Sequence, residues 1–211
     1  MQKPIVVFGT GAPAQLAVEY FRTDSSREVA GLTVDNEFRI ANKMWGLPLV
    51  PYEDIVGEYP PSEFDLFVAI GYSGRNRIRR EKFLDAANRG YAFATYVSSR
   101  ATILTETIGQ NCFILEDNTV QPFSSIGDNT TLWSGNHIGH HSSIGDHVFV
   151  TSHVVVSGNC HIGDSCFLGV NATVRDGISI GPEAIVGAGS LVMRDVSPKQ
   201  VLVPRETRAK E

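Results

Sequence analysis

The sequence has no excess of basic residues, few cysteines and no long apolar run. Its 18 Lys and Arg against 23 Asp and Glu give a formal net charge of −5, which argues against nucleic-acid or membrane-surface partners. Its three cysteines show no CxxC spacing, so neither a disulfide framework nor a zinc knuckle is indicated. The apolar run at 5–8 is far shorter than a signal-peptide core or the roughly 20 residues of a membrane span. We therefore expect a cytoplasmic protein.

The sequence pattern changes near residue 97, which predicts two domains and a tail. Residues 1–97 mix strand and helix signals, whereas residues 98–196 repeat a short, unbroken period. Residues 197–211 form a C-terminal tail rich in basic side chains.

The first segment has the pattern of a small α/β, Rossmann-like domain. An apolar strand at 5–8 precedes a glycine-rich turn and a helical pattern at 14–21. Further strands are predicted at 29–34 and 66–71, and an amphipathic helix at 75–90 ends at a glycine.

The second segment repeats every six residues. Every sixth residue from Ile108 to Val192 is Ile, Val or Leu, and all fifteen positions match. The dipeptide Ile-Gly recurs every 18 residues from Ile108 to Ile180, which indicates that three hexapeptides form one rung and that residues 18 apart stack. Since one rung cannot bury its aliphatic side chains alone, the pattern predicts a coil of short parallel strands around a continuous core.

The cysteines fit this register. In each hexapeptide the first residue is predicted to point inward, and the fifth, which is mostly small, fills the inside of the turn. Cys112, Cys160 and Cys166 all take the fifth position. We therefore expect them to be interior residues and not nucleophiles.

The hexapeptide period resembles the left-handed parallel β-helix of hexapeptide-repeat acyltransferases. The handedness is implied by this resemblance alone, because parallel crossovers generally favour the right hand. Together with the α/β domain, nearly the whole chain resembles the bacterial sialic acid O-acetyltransferases and nucleotide-activated 4-amino-sugar N-acetyltransferases. The resemblance implies acetyl-CoA as co-substrate, no metal cofactor, a homotrimer with clefts between subunits and a part in surface-glycan biosynthesis.

The six histidines crowd into the coil, and none takes the inward first position. Stacking by 18 residues pairs no two of them, so within one subunit only His140 and His141 could share a metal ion. A metal site assembled across the subunits of a trimer stays an alternative. The other histidines are expected to line the trimer cleft or to remain solvated: His137, His147, His153 and His161.

His140 is the predicted catalytic base. Acyl transfer from a thioester needs a group of near-neutral pKa to take a proton from the attacking amine or hydroxyl. The resemblance implies a catalytic histidine at the corner before an Ile-Gly step, often followed by an acid that orients it; His140 has that place and His141 stands where the acid is expected. The orienting partner is a backbone carbonyl, a water or His141 itself. The alternative is that His140 is one more exposed polar corner residue.

The resemblance also implies where the two substrates bind. Gly158, Val170 and Ala188 match stretches that hold the pantetheine arm of acetyl-CoA. Lys199 or Arg205 could reach the CoA phosphates, with a solvated tail as the alternative.

In the N-terminal domain, the matching positions bind the nucleotide of an activated sugar. They are Gly11, Ala12 and Pro13 in the first turn, Asp35 and Asn36 after the second strand, and Gly71 after the later strand. The alternative to nucleotide binding is that the glycines only permit tight turns and that Asp35 caps a helix or turn. The nearby residues Arg75, Asn76, Arg77 and Arg79 could meet a diphosphate or form a solvated helix face.

The sequence therefore predicts an acetyl-CoA-dependent acetyltransferase that acts on an amino group of a nucleotide-linked sugar. Transfer to a sugar hydroxyl, transfer of another acyl group such as formyl, and a non-catalytic β-helix that binds sugar nucleotides are the alternatives.

Overall fold

The computed structural model describes residues 2–204, which form an α/β domain packed on one side of a coil of short strands. The sheet of the α/β domain has the order β3-β4-β2-β1-β5, in which β3 is an antiparallel edge strand and the other four strands are parallel. The elements are β1 Ile5–Phe8, α1 Ala12–Thr23, β2 Val29–Val34, β3 Lys43–Met44, β4 Leu47–Pro51, α2 Ile55–Glu58, β5 Asp65–Val68 and α3 Arg77–Asn88, with 3-10 turns at Asn36–Phe38 and Tyr52–Asp54.

The α/β domain begins with the predicted strand, turn and helix. All four residues of β1 are buried, and α1 turns its buried residues Ala14, Ala17, Val18 and Phe21 toward the sheet. Gly9 has a φ of 128°, and a Cβ there would lie 2.9 Å from the carbonyl oxygen of Ala69, so only glycine fits this turn.

The sequence prediction differs from the structure at several places in this domain, one of which is the helix predicted at 75–90, which spans Arg77–Asn88. Strand β5 ends at Val68, so Gly71 belongs to the loop that follows and not to the strand. The hairpin of β3 and β4 was not predicted, because β4 contains Pro48 and Pro51, which normally argue against a strand.

The remaining strands form the three faces of a left-handed parallel β-helix. The docking face, which the α/β domain covers, consists of β6 Tyr96–Val97, β8 Phe113–Ile114, β11 Thr131–Leu132, β14 Phe149–Val150, β17 Phe167–Leu168, β20 Ile185–Val186 and β22 Val201–Leu202. The second face consists of β7 Thr102–Ile103, β9 Thr119–Val120, β12 His137–Ile138, β15 Val155–Val156, β18 Thr173–Val174 and β21 Leu191–Val192. The third face consists of β10 Ser125–Ile126, β13 Ser143–Ile144, β16 His161–Ile162 and β19 Ser179–Ile180.

The register of the coil is the predicted one. Leu132 pairs with Ile114 below and Val150 above, each 18 residues away. The first-position aliphatic residues from Ile114 to Val192 are at most 2% exposed, and the three cysteines are completely buried. The coil also continues into the predicted tail, because Val201–Leu202 pairs with Ile185–Val186.

The corners of the coil share one backbone conformation. Every sixth residue from Asn111 to Gly189, the fourth position of each hexapeptide, has a φ between 54° and 78°. This left-handed region favours Gly, Asn, Asp and His, and these residue types fill eleven of the fourteen corners.

The α/β domain is fixed to the coil by apolar and polar contacts. On the docking face the outward sixth positions carry Phe113, Phe149 and Phe167, and Tyr72 packs on the latter two rings at 5.1 and 4.7 Å. At the corner between the third and docking faces, the Asn111 side chain pairs with the backbone N–H and C=O of Val68. Neither of the 12-residue helices nor any other helix within residues 2–204 is long and apolar enough to span a bilayer.

Candidate active site

His140 and His141 lie side by side at the corner between the second and third faces, and both side chains are exposed. Their Nδ1 atoms are 3.1 Å apart and their rings are nearly perpendicular. The backbone N–H of His140 donates to Gln121 Oε1 at 2.9 Å, and its carbonyl accepts from the N–H of Asn159 at 2.9 Å. The coil therefore fixes the backbone of His140 between two rungs.

The Nδ1 contact determines how the two imidazoles can divide their roles. At 3.1 Å one Nδ1 donates a proton to the other, which accepts it. When His140 is the donor, its Nε2 has a free lone pair that faces away from His141 and can take a proton. The ring of Phe123 packs on His141 at 4.7 Å and holds the accepting ring in place.

The backbone at the corners explains where half of the histidines occur. His141, His147 and His153 all take the fourth position and have φ values of 57° to 60°. Since this conformation favours histidine as well as asparagine, their number reflects the repeat itself as much as any shared site.

His147 corrects the expectation that the remaining histidines line a cleft or stay solvated. It is only 8% exposed, its Nδ1 pairs with Asn129 Nδ2 at 2.8 Å, and Phe83 of α3 packs against its ring. Burial beneath the α/β domain lowers the pKa of His147, since it disfavours the charged imidazolium. His147 is thus a structural residue of the domain junction.

The other three histidines are more accessible. His153 is exposed, and half-buried His137 lies in register between Thr119 and Val155 on the second face. His161 is exposed on the third face, where its Nδ1 is 2.9 Å from Ser143 Oγ. Within residues 2–204 no three His, Cys, Asp or Glu side chains converge in a way that could hold a metal ion.

A groove of about 560 Å³ runs along the third face, and neither His140 nor His141 is among the residues that line it. It extends from Ser143, three residues after His140, past His161 and Ser179 to Ser197, parallel to the axis of the coil. No sequence feature pointed to this groove. Ser143 and Ser179, two small sixth-position residues of this face, line it, and His161 occupies the sixth position between them.

The three residues matched to the pantetheine arm do not lie together within one chain. Gly158 shares the corner of His140, and its N–H already donates to Asp176 Oδ1 at 2.8 Å. Val170 and Ala188 share the corner between the docking and second faces, where Val170 is 42% exposed. A single cleft that contains all three requires two copies of the chain.

The residues matched to the nucleotide gather at the carboxyl edge of the α/β sheet. Gly11 caps α1, Ala12 begins it, and a Cβ on Gly71 would lie 3.9 Å from the ring of Pro13. Asp35 and Asn36 follow the neighbouring strand β2, but both have protein partners: the Asp35 carboxylate pairs with Lys82, and the Asn36 N–H donates to Glu53 at 3.1 Å.

Asn76 and Arg79 correct the expectation that they could meet a diphosphate, because both are buried against the coil. Asn76 Nδ2 donates to the carbonyls of Ser165 and Cys166 at 3.2 and 3.0 Å. The Arg79 guanidinium donates to oxygens of five residues, Asn76, Asn129, Thr131, His147 and Val148. Burial lowers the pKa of Arg79 to about 9. The sequence could not separate these two residues from their neighbours, half-buried Arg75 and exposed Arg77.

The predicted contacts of the tail with CoA remain untested. Lys199 Nζ lies 3.7 Å from the Glu183 carboxylate near the end of the coil. Arg205 lies outside the described residues.

Comparisons with known proteins match both the repeat and the complete fold. The sequence profile of the bacterial transferase hexapeptide (six repeats) matches residues 123–158, and that of the hexapeptide repeat of succinyl-transferase matches residues 160–194. A search of curated protein sequences finds no match.

Several solved structures share both domains. PerB from Caulobacter crescentus in complex with CoA and GDP-perosamine is 25% identical, covering 94% of this chain and 92% of its own, with a TM-score of 0.83. The acetyltransferase domain of PglB from Neisseria gonorrhoeae is 22% identical over 95% and 96% of the two chains, with a TM-score of 0.83. WeeI from Acinetobacter baumannii is 23% identical over 96% and 97%, with a TM-score of 0.80. The similarity to PglB and WeeI shows a shared fold.

The repeat profiles and the full-length similarity agree on one class of protein. Residues 123–158 and 160–194 match hexapeptide-repeat transferase profiles, and together with the full-length similarity to PerB they support acyl-CoA-dependent acyltransferase activity.

Proposed function

We propose that this chain is an acetyl-CoA-dependent acetyltransferase that acts on the amino group of a nucleotide-linked sugar, with His140 as general base. The observation that carries the proposal is the exposed His140–His141 pair at a corner of the hexapeptide coil, whose adjoining third face carries a groove parallel to the coil axis. PerB, which shares both domains, was solved with CoA and GDP-perosamine, and this supports the same two classes of substrate here.

The reaction requires one proton acceptor. The amine nitrogen attacks the thioester carbonyl, the carbon–nitrogen bond forms, and the tetrahedral intermediate loses the thiolate of CoA. His140 Nε2 takes the proton that the nitrogen must release and can return it to the departing sulfur. No step needs a metal ion.

His141 is proposed to orient the base. For His140 to accept at Nε2, its Nδ1 must carry the proton and donate it to His141 Nδ1 across the 3.1 Å contact. His141 must then be neutral, with its own proton on Nε2. An imidazole thereby does what a carboxylate does in the arrangement that the family resemblance implies.

We propose that the acyl-CoA site lies between two copies of the chain in a homotrimer. Gly158, beside His140, and the pair Val170 and Ala188 lie on different corners, so a partner must supply one set. The second face between these corners exposes Val155, Leu191 and Met193, which a neighbouring coil can cover. Sedimentation should give a trimer; a fully active monomer would contradict this part of the proposal.

The nucleotide is proposed to bind at the edge formed by Gly11, Ala12, Pro13 and Gly71, with Asp35 and Asn36 at its side. These residues lie on the α/β domain that covers the docking face, which fits an activated sugar presented to the coil. Such sugars serve surface-glycan biosynthesis in the cytoplasm, and we place the reaction there.

The test is acetyl transfer measured by mass spectrometry with acetyl-CoA and a panel of amino-sugar nucleotides that includes GDP-perosamine. His140→Ala should lower turnover by about 10²- to 10⁴-fold and leave CoA affinity nearly unchanged. Products formed only with hydroxyl sugars would favour O-acetylation. A chain that neither binds CoA nor acetylates any acceptor would be a scaffold, and the proposal would be wrong.

A further inference from the structure

The loop between β5 and α3 holds an uncommon backbone conformation. Gly74, Arg75 and Asn76 have φ values of 62°, 58° and 63°, which are three successive left-handed residues. Residues other than glycine adopt this region at an energetic cost, so the surrounding structure must enforce it. The enforcing contacts are those of Asn76 and Arg79, which tie the end of the loop and the first turn of α3 to the backbone of the coil.

This fixed loop arranges three arginines around a cavity. The cavity has a volume of about 400 Å³ and lies at the junction of the two domains. Arg75, Arg77 and Arg80 line one side together with Glu81, and Ser165 and Glu183 of the coil line the other, so three guanidinium groups face two carboxylates. Because Asn76 and Arg79 are anchored between them, the arginines are held near one another without any need for a ligand.

The charges of this cavity are incompletely balanced. Arg77 pairs with Glu81 at 2.9 Å, and Glu183 lies 3.7 Å from Lys199. Within residues 2–204 neither Arg75 nor Arg80 has a side-chain acceptor, and the segment 71–80 holds four arginines and no acidic residue in a chain of net charge −5. Clustered guanidinium groups repel one another unless an anion lies between them.

We propose that this cavity binds a phosphate group of a substrate through Arg75 and Arg80. Guanidinium groups match the geometry of phosphate oxygens and can bind them with paired hydrogen bonds. Two substrates carry phosphate groups: the nucleotide-linked sugar, which has a diphosphate, and CoA. This choice of ligands rests on the proposed function, whereas the charged cavity does not.

The first test uses inorganic pyrophosphate and isothermal titration calorimetry, so that it needs no catalytic activity. Arg75→Gln/Arg80→Gln should weaken pyrophosphate binding by about tenfold or more, since a charge-assisted hydrogen bond contributes about 1.5–3 kcal/mol. Arg75→Lys/Arg80→Lys should lose less, because it keeps the charge. Arg22→Gln removes an exposed arginine from the far end of α1 and is the matched control, which should bind as the wild type does.

The second test identifies the source of the phosphate. A loss of affinity for GDP and UDP, with CoA unaffected, assigns the cavity to the nucleotide-linked sugar. If the double Gln variant loses affinity for CoA but not for dephospho-CoA, the cavity binds the 3′-phosphate of CoA. If it loses affinity for both, the cavity binds the CoA diphosphate. If wild type does not bind pyrophosphate, or if the double Gln variant binds all these ligands as wild type does, the proposal is wrong. Pyrophosphate binding without acetyl transfer would leave the cavity intact as a phosphate site and count against the proposed function alone.

Discussion

Gly158 stacks on the imidazole of His140, so closely that a methyl group built on it would lie 2.6 Å from Cε1 and 2.8 Å from Nε2. The absence of a side chain at 158 is therefore what allows the ring its position. Since these contacts are with the end of a mobile side chain and not with backbone, an added methyl would move His140 and leave the coil in place.

Gly158→Ala should consequently impair catalysis without unfolding the protein. We expect kcat to fall by roughly 10- to 100-fold, as misplaced catalytic groups cost about this much, while Tm changes little. Gly57→Ala, where a Cβ would meet nothing within 4 Å, serves as control and should keep full activity. A fully active Gly158→Ala would show that His140 is not the base in this orientation.

Variants of His141 should separate orientation from proton transfer. His141→Asn keeps an acceptor for His140 Nδ1 and should retain most of the activity, whereas His141→Ala should lose about 10-fold, less than His140→Ala. The measurement is kcat/KM from pH 5 to 9. A loss at His141→Ala greater than at His140→Ala would exchange the two roles.

Removal of Arg79 should loosen the junction between the domains. Arg79→Met would leave the carbonyls of Asn129 and His147 without the guanidinium donor, and we expect it to lower the free energy of unfolding by about 3 kcal/mol or more. Urea unfolding measures this, and Arg77→Met, on an exposed face of the same helix, is the control. Equal stability of Arg79→Met and the wild type would contradict a supporting role for this network.

Asp24 should make the same junction sensitive to acid. Its carboxylate accepts from the N–H of Ser99 at 2.9 Å and from the hydroxyl of Tyr96 at 2.7 Å, and these bonds lower its pKa to about 2. A depressed pKa stabilises the fold above the ordinary value near 4, and this contribution is lost as pH falls toward 2. Asp24→Asn should lower Tm by about 2–4 °C at pH 7, as about 1 kcal/mol does in a chain of this size, and the difference should shrink below pH 4. A difference that stays constant down to pH 3 would show that the charge is unimportant.

The cysteines should react slowly in the native protein. Burial raises the pKa of Cys112 to about 12 and that of Cys166 to about 11, so the reactive thiolate is scarce at pH 8. Labelling with a thiol reagent should be slow until denaturant is added, and fast labelling of native Cys166 would mean that the rungs open.

The coil could be predicted almost completely because its period repeats the same physical requirement at every rung. Each first position must fill the interior, so a single register fits all fifteen aliphatic residues, and the structure confirms it. The docking face also has a sequence feature, the outward phenylalanines at 113, 149 and 167. They identify the contact surface only once it is known which face the α/β domain covers.

The site could be predicted only as far as the repeat reaches. The place of His140 follows from its hexapeptide, whereas the burial of His147 and Arg79 results from contacts between segments far apart in sequence. Nothing in the run of residues 75–80 distinguishes an arginine that supports the junction from one that faces a cavity. Such distinctions arise from packing between domains, which has no period.

The left-handed corners have a consequence for how activity can arise on this scaffold. Fourteen corners present the same backbone geometry in columns with about 4.8 Å between rungs, so a side chain that suits one corner suits the others. An imidazole can be gained or lost at a solvent-exposed corner without rebuilding the core, because the aliphatic column behind it is unaffected, whereas the corners at Asn111, Asn129, His147 and Ser165 are buried. In such a coil, the side chains at the exposed corners determine the catalytic chemistry, and the inward-pointing aliphatic residues determine the stability.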